Sequence, residues 1–140
     1  MVELLLVLAL VGVLAGSVVL VSGGASDRAK AIRIVSDLRT IKSAALMYYV
    51  DRGRWPSRFE ELLEGGYVSP TLGNFSIEGP GGDDVVIFGP ISIDEMGVRR
   101  ALESMAAEAG LIGGEDEDVA DPSYPPYRAD LHEFVGMRIR

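Results

Sequence analysis

The first 26 residues constrain this chain more than any other part of it. Between Val2 and Val21 the only charged residue is Glu3, and no Lys or Arg occurs before Arg28. An apolar helix of about 20 residues is roughly 30 Å long, which is enough to cross the hydrocarbon core of a bilayer. We therefore expect residues 1–26 to form an apolar stem, and the rest of the chain to form a head of ordinary domain size.

Charge divides the remaining chain into two parts. Residues 27–58 contain eight basic and three acidic residues, whereas residues 59–140 contain five basic and 17 acidic residues. The sequence therefore predicts a basic collar next to the stem and an acidic head, with a net charge of -8 for the whole chain. An acidic surface is unsuited to phosphate backbones, so we expect no direct binding of nucleic acid.

The flanks of the stem fit neither a secretory signal peptide nor an ordinary signal anchor. A signal peptide needs a basic start and a shorter apolar stretch, although Ala25 and Ser26 imitate a cleavage site. A signal anchor with its basic residues after the span would hold the head in the cytoplasm. This conflict disappears if a basic leader once preceded Met1 and was removed.

Glu3 is costly in an apolar helix. A carboxylate deep in a bilayer costs about 2.5 kcal/mol or more, unless it pairs or stays at the interface. One interpretation is that Glu3 reaches the lipid headgroups. The other is that it has a partner in an assembly.

The segment from Glu3 to Gly16 resembles the amino-terminal segment of type IV pilins and type II secretion pseudopilins. In that family a dedicated membrane peptidase removes a basic leader ending in Gly, the new amino terminus is methylated, and a nearby glutamate serves assembly. The resemblance assigns this last role to Glu3. Glu3 lies two residues nearer the chain start than the family's glutamate. Either the sequence starts inside the mature segment, so that Met1 is not the true amino terminus, as we expect, or the segment is shifted relative to the family.

Glycines within and after the stem are candidates for close helix packing. Gly12 and Gly16 form a G-x-x-x-G pair, which lets helices approach closely in lipid, although glycine is also simply frequent in membrane spans. Gly23 and Gly24 each give up about 1 kcal/mol of helix propensity relative to Ala. We predict an unwound or flexible stretch between Gly16 and Ala25 when the stem is packed in a filament.

The pattern after Ser26 indicates an amphipathic continuation of the helix, about Asp27 to Arg52. Its apolar face consists of Ile34, Leu38, Ile41, Ala45 and Tyr48. Gly53 is suited to end the helix and Pro56 prevents it from resuming. The segment from Tyr48 to Pro56 also resembles the point where pilins and pseudopilins leave their long helix. We therefore divide the chain into the stem (1–26), the amphipathic half of the long helix (27–53) and a globular α+β head (54–140).

The head is predicted from three local patterns. Capping boxes at Ser57–Glu60 and Ser92–Glu95 indicate two short helices, the first ended by Gly65 and Gly66, the second by Gly110. Strand-like runs at 74–78 and 84–88, separated by Gly and Pro, predict a hairpin. Alternation over 134–140 predicts a last strand. The fold class is α+β, with a long N-terminal helix packed against a small antiparallel sheet, as the resemblance also implies.

An acidic run offers the only metal-ligand chemistry that the sequence suggests. Its residues are Glu115, Asp116, Glu117, Asp118 and Asp121. Oxygen ligands in a loop suit calcium, and major pseudopilins bind calcium in a late loop, but the spacing is not that of an EF-hand. Both a calcium site and a plain solvated loop stay open.

The sequence gives no support to catalysis. His132 is the only histidine, Cys is absent, and no Ser elbow or Walker-type glycine motif occurs.

The resemblance implies a structural subunit of a type IV pilus-like filament, which would interact with its own copies, other pilin-like subunits, the leader peptidase and a membrane assembly platform. It would be stored in the cell membrane and become an extracellular or periplasmic filament. The alternative is a monomeric membrane-anchored module with a calcium-binding acidic loop.

Overall fold

A long helix, two short helices and four strands make up the described part of the chain. The computed structural model describes residues 2–73, 75–78, 85–92, 94–114 and 124–139, and for residues 15–23 the backbone alone. In chain order the elements are α1 (Val2–Arg52), α2 (Phe59–Glu64), β1 (Ser76–Glu78), β2 (Val86–Pro90), α3 (Met96–Ala109), β3 (Leu111–Gly114) and β4 (Phe134–Arg138). The predicted α+β class, with one long N-terminal helix, is confirmed.

Helix α1 joins the stem to the head without a break. Its second half buries one apolar face, whose members are Ala31, Val35, Leu38, Ile41, Ala44, Ala45 and Tyr48. The helix ends at Gly53, where φ is 71° and the amide N–H donates to the Tyr49 carbonyl at 2.8 Å. Both the amphipathic face and the glycine end are confirmed.

The glycines near the end of the stem do not interrupt α1 in the single chain. The backbone is helical from Val2 through Gly23 and Gly24 to Arg52. The predicted unwinding between Gly16 and Ala25 concerned the packed filament, and for that state it stays a prediction.

The four strands form one antiparallel sheet in the order β1-β2-β4-β3. The β1–β2 hairpin is confirmed, with Glu78 opposite Val86. Its strands begin two residues later than the predicted runs at 74–78 and 84–88. Strand β4 is also confirmed and lies inside the sheet, where Val135 pairs with Gly89 on one side and Gly113 on the other. Val135, Met137 and Ile139 are buried, as the alternation predicted. Strand β3 was not predicted.

Helix α3 covers the part of α1 next to the stem. Its residues Val98, Leu102 and Ala106 are buried, and Met105 and Ala109 are half-buried against the same core. The helix ends at Gly110 in the left-handed region, as predicted. The head core therefore lies between α1 on one side and α2, α3 and the sheet on the other.

Both predicted capping boxes are wrong. Helix α2 begins after Arg58, and α3 begins after Glu95, with no side-chain cap at either position. In α2 it is Glu61, and not the predicted Glu60, that binds the backbone before the helix: its carboxylate accepts a hydrogen bond from the Ser57 N–H at 3.3 Å. In α3 the Glu95 side chain turns to α1 instead, because Lys30 lies within reach.

In the residues that the structure describes, no helix is both apolar and long enough to span a membrane.

Candidate assembly surface

The first part of α1 exposes a continuous apolar surface. Ten large apolar side chains between Val2 and Leu14 are 55% to 76% exposed. Soluble monomers rarely expose apolar patches larger than a few hundred square ångströms, so such a surface indicates contact with lipid or protein. We call residues 2–14 the exposed stem.

The predicted assembly residues all lie on α1. Glu3 is exposed in the first helical turn, where a negative charge faces the positive end of the helix dipole. A Cβ added at Gly12 or Gly24 would meet no other atom within 4 Å, so neither glycine is required by a contact inside the described chain. Gly16 and Gly23 lie in the same helix. The roles of these glycines in contacts between copies stay a prediction.

A joint between α1 and α3 holds the stem relative to the head. Lys30 Nζ lies 2.8 Å from Glu95 Oε1, and this hydrogen bond raises the pKa of Lys30. Nearby, the Asp27 carboxylate lies against Gly97 in the first turn of α3, where any side chain would collide with it. A carboxylate is favoured there because the N-terminal end of a helix carries partial positive charge. The joint fixes the start of α3 beside the first turn of the basic collar.

The opposite end of α1 is held by Glu61 of α2. Its carboxylate accepts the Tyr48 hydroxyl at 2.8 Å and pairs with Arg54 at 3.0 Å. These two bonds, with the Ser57 amide and the Arg54 charge, hold the pKa of Glu61 below its usual value, the Tyr48 bond contributing most. Burial and the same bond raise the pKa of Tyr48. The chain's exit from the long helix is thereby fixed.

Aromatic contacts also pack against the end of α1. Tyr67 packs edge-on against Tyr48 with ring centres 5.5 Å apart, and its hydroxyl donates to Asp51 at 2.8 Å. Tyr49 stacks on Trp55 at 4.4 Å. The segment that resembled the pilin helix exit is therefore the same segment that ties α1 to α2.

A buried polar cluster lies under β3, and sequence reasoning missed most of it. Arg99 is 5% exposed, and its Nη2 donates to the His132 carbonyl at 2.7 Å. His132 is 4% exposed; its Nδ1 accepts the Arg128 amide at 2.9 Å, and its ring lies against Gly113. Burial raises the pKa of the neighbouring Tyr127. His132 is thus part of the head's interior. Nothing in the sequence indicated that Arg99 is buried, because arginine is ordinarily exposed.

The predicted calcium ligands lie outside the described residues. Glu115, Asp116, Glu117, Asp118 and Asp121 all belong to the segment 115–123. In the ranges that are described, no group of three or more acidic or His side chains is placed to hold a metal ion. The calcium site therefore stays a prediction.

Comparison with known proteins gives a relative in sequence and a solved structure of similar fold. The type II secretion system core protein G of Escherichia coli (strain K12) is 30% identical over 126 residues, covering 82% of this chain and 83% of that protein. The structure of the major type IV pilin PilA1 from Clostridium difficile superposes with a TM-score of 0.55 at 19% identity, covering 84% of this chain and 98% of that one. No protein-family model matches the chain.

Proposed function

The chain belongs to the family of the type II secretion system core protein G, a pseudopilin, and on that premise we propose that it is a structural subunit of a type IV pilus-like helical filament. It polymerises through α1, and Glu3 sets the register of the subunits. Its role is structural, not catalytic.

The exposed stem is the observation that carries this proposal. Its apolar side chains are uncovered in the single chain, and removing apolar surface from water is favourable by about 25 cal/mol per Å². Lipid can cover the stem while the subunit is stored, and the stems of other copies can cover it in a filament. Because stem meets stem in a staggered, non-closing contact, the product is a helical filament instead of a closed ring.

Glu3 supplies the register. When stems slide past one another, a carboxylate that meets an ammonium group in the apolar core is stabilised, whereas one left unpaired is penalised by about 3 to 5 kcal/mol. By the family resemblance, the partner is the amino terminus of a neighbouring copy. Gly12, Gly16, Gly23 and Gly24 allow the stems to approach closely and to adjust their path.

The basic collar adds cohesion between copies. Lys30 and Arg54 are engaged within the subunit, but Arg28, Arg33 and Arg39 are exposed on α1. Acidic heads of neighbouring copies complement these cations. Exposed charges are screened by salt, so this part of the cohesion weakens at high ionic strength.

Membership in the family supports a path to the filament. A leader peptidase and N-methylation prepare the terminus, and a membrane assembly platform inserts the subunit among its own copies and other pilin-like subunits. The subunit is held in the cell membrane first and reaches an extracellular or periplasmic filament afterwards.

Replacement of Glu3 tests the proposal. We predict that Glu3→Ala abolishes or strongly reduces filaments seen by electron microscopy, because the register is lost, while the subunit still enters the membrane fraction. Glu60→Ala, an exposed acid on α2, is the control and should assemble normally. Normal filaments from the Glu3 variant would remove the register role.

Mass spectrometry of the mature subunit separates this function from a monomeric membrane anchor. A processed and N-methylated terminus supports the filament subunit. An unprocessed, unmodified start, together with isolated molecules in the membrane, would contradict it.

A further inference from the structure

Helices α1 and α3 run in the same direction. At one end Asp27 contacts Gly97, and at the other Arg39 and Ala109 line a common groove. The sequence distance between these contacts is the same on both helices, which corresponds to about 18 Å along each helix. The space between the two helices is therefore a groove that runs along the long helix.

This groove is apolar at its base and open to solvent. Its volume is about 360 Å³, with Ile32 and Val35 on one wall and Met105 and Ala109 on the other. Ile32 is 53% exposed although it is a large apolar residue. Arg39 on α1 and Glu108 on α3 line the same groove, and their opposite charges leave it without a net charge from these two side chains.

We propose that the α1–α3 groove receives the exposed stem of a neighbouring copy. The inference rests on the proposed filament, but it adds a specific receptor on the head to the packing of stems in the core. Residues 2–14 are the apolar surface that this same chain leaves uncovered, and Glu3 is the only charge in them.

Orientation and dimensions favour this occupant. Stems in a helical filament lie side by side, so a neighbour's stem runs along α1, and hence along the groove. The volume admits the side chains of one helix face, which is how near-parallel helices interlock. The middle of the exposed stem lies near Leu8 and the groove is centred near Val35, so the two copies are displaced by about 40 Å along the filament.

The absence of Cys from the chain permits a direct cross-linking test. Met105→Cys is combined with a Cys at each stem position from 4 to 14 in turn, in full-length subunits assembled into filaments in cells. A disulfide requires Cα atoms within about 7 Å. We expect disulfide dimers whose yield along the stem repeats about every 3.6 residues, because only one face of the stem enters the groove.

Ala107→Cys is the matched control, since it is exposed on the far side of α3 from the groove. It should give no periodic dimers. If Met105→Cys impairs assembly, Ile32→Cys on the other wall provides the same measurement.

The outcomes separate the inference from the function on which it rests. Filaments whose groove cysteines cross-link with helical periodicity support both. Filaments whose groove cysteines cross-link no better than Ala107→Cys overturn the groove as the receptor and leave the filament function intact. Failure of the unaltered subunit to form filaments overturns both.

Discussion

Glu61 connects three segments through a single carboxylate. It binds the Tyr48 hydroxyl of α1, the Arg54 guanidinium after α1 and the Ser57 amide before α2. Because these groups favour its ionised form, its pKa is lower in the folded head than in the unfolded chain. Its contribution to stability is therefore complete above its unfolded pKa, near 4.5, and is lost as pH falls through its lower folded value.

We predict that Glu61→Gln makes the free energy of unfolding less dependent on pH. The variant should be less stable than the parent at neutral pH, and the difference should shrink at acidic pH. Urea unfolding at several pH values measures this. Glu60→Gln, on the exposed side of the same helix, is the control, and a constant difference across the pH range would contradict the assignment.

Gly113 shows how closely the backbone of β3 approaches a buried ring. A Cβ at this position would overlap the imidazole of His132, which is fixed by its bond to the Arg128 amide. We predict that Gly113→Ala destabilises the head by about 1 to 3 kcal/mol, the usual cost of overpacking. Thermal unfolding measures it. Gly73→Ala, where a Cβ meets nothing within 4 Å, should cost much less.

At the scale of elements, α3 depends on a few buried side chains. Leu102 is fully buried between α3 and the core, whereas Leu131 is 50% exposed in the loop before β4. We predict that Leu102→Ala costs about 2 to 5 kcal/mol and that the same substitution at Leu131 costs far less. Chemical denaturation of both variants compares identical chemistry at different burial. Equal losses would mean that α3 does not anchor the head.

The length of α1 also has a physical consequence for assembly. A helix of 51 residues is about 75 Å long, so its apolar first part projects well beyond the head that holds its second part. The Lys30–Glu95 and Tyr48–Glu61 contacts lie near the two ends of the held part. The head thus contacts the second part of α1 near both of its ends, and the stem continues from that part as the same helix.

At the scale of the whole molecule, stem and head carry separate tasks. We predict that removal of residues 1–26 gives a soluble, monomeric head, because the uncovered apolar side chains are concentrated in the stem. Size-exclusion chromatography with light scattering measures this. An insoluble or aggregated product would place the boundary elsewhere.

Local sequence patterns determined the elements whose residues need no distant partner. The run from Val2 to Val21 predicted the stem, and the apolar spacing up to Tyr48 predicted the buried face of α1. Gly53 and Gly110 predicted helix ends, because helices commonly end at a residue in the left-handed conformation and glycine adopts that conformation without a steric penalty. The local patterns and the segments resembling pilins together predicted the fold class, which the structure and its similarity to a solved pilin confirm.

Only the tertiary structure decided which residues meet across long stretches of chain. Glu95 binds Lys30 instead of capping α3, and Arg99 is buried where the His132 carbonyl before β4 accepts a hydrogen bond from its guanidinium. Strand β3 forms because β4 offers it an edge, although its four residues carry little strand pattern of their own. Such contacts depend on the packing of elements far apart in sequence, and local propensity and spacing do not encode that packing. The stem is the opposite case, since its apolar run is visible in the sequence and its described side chains, up to Leu14, are exposed in the single chain.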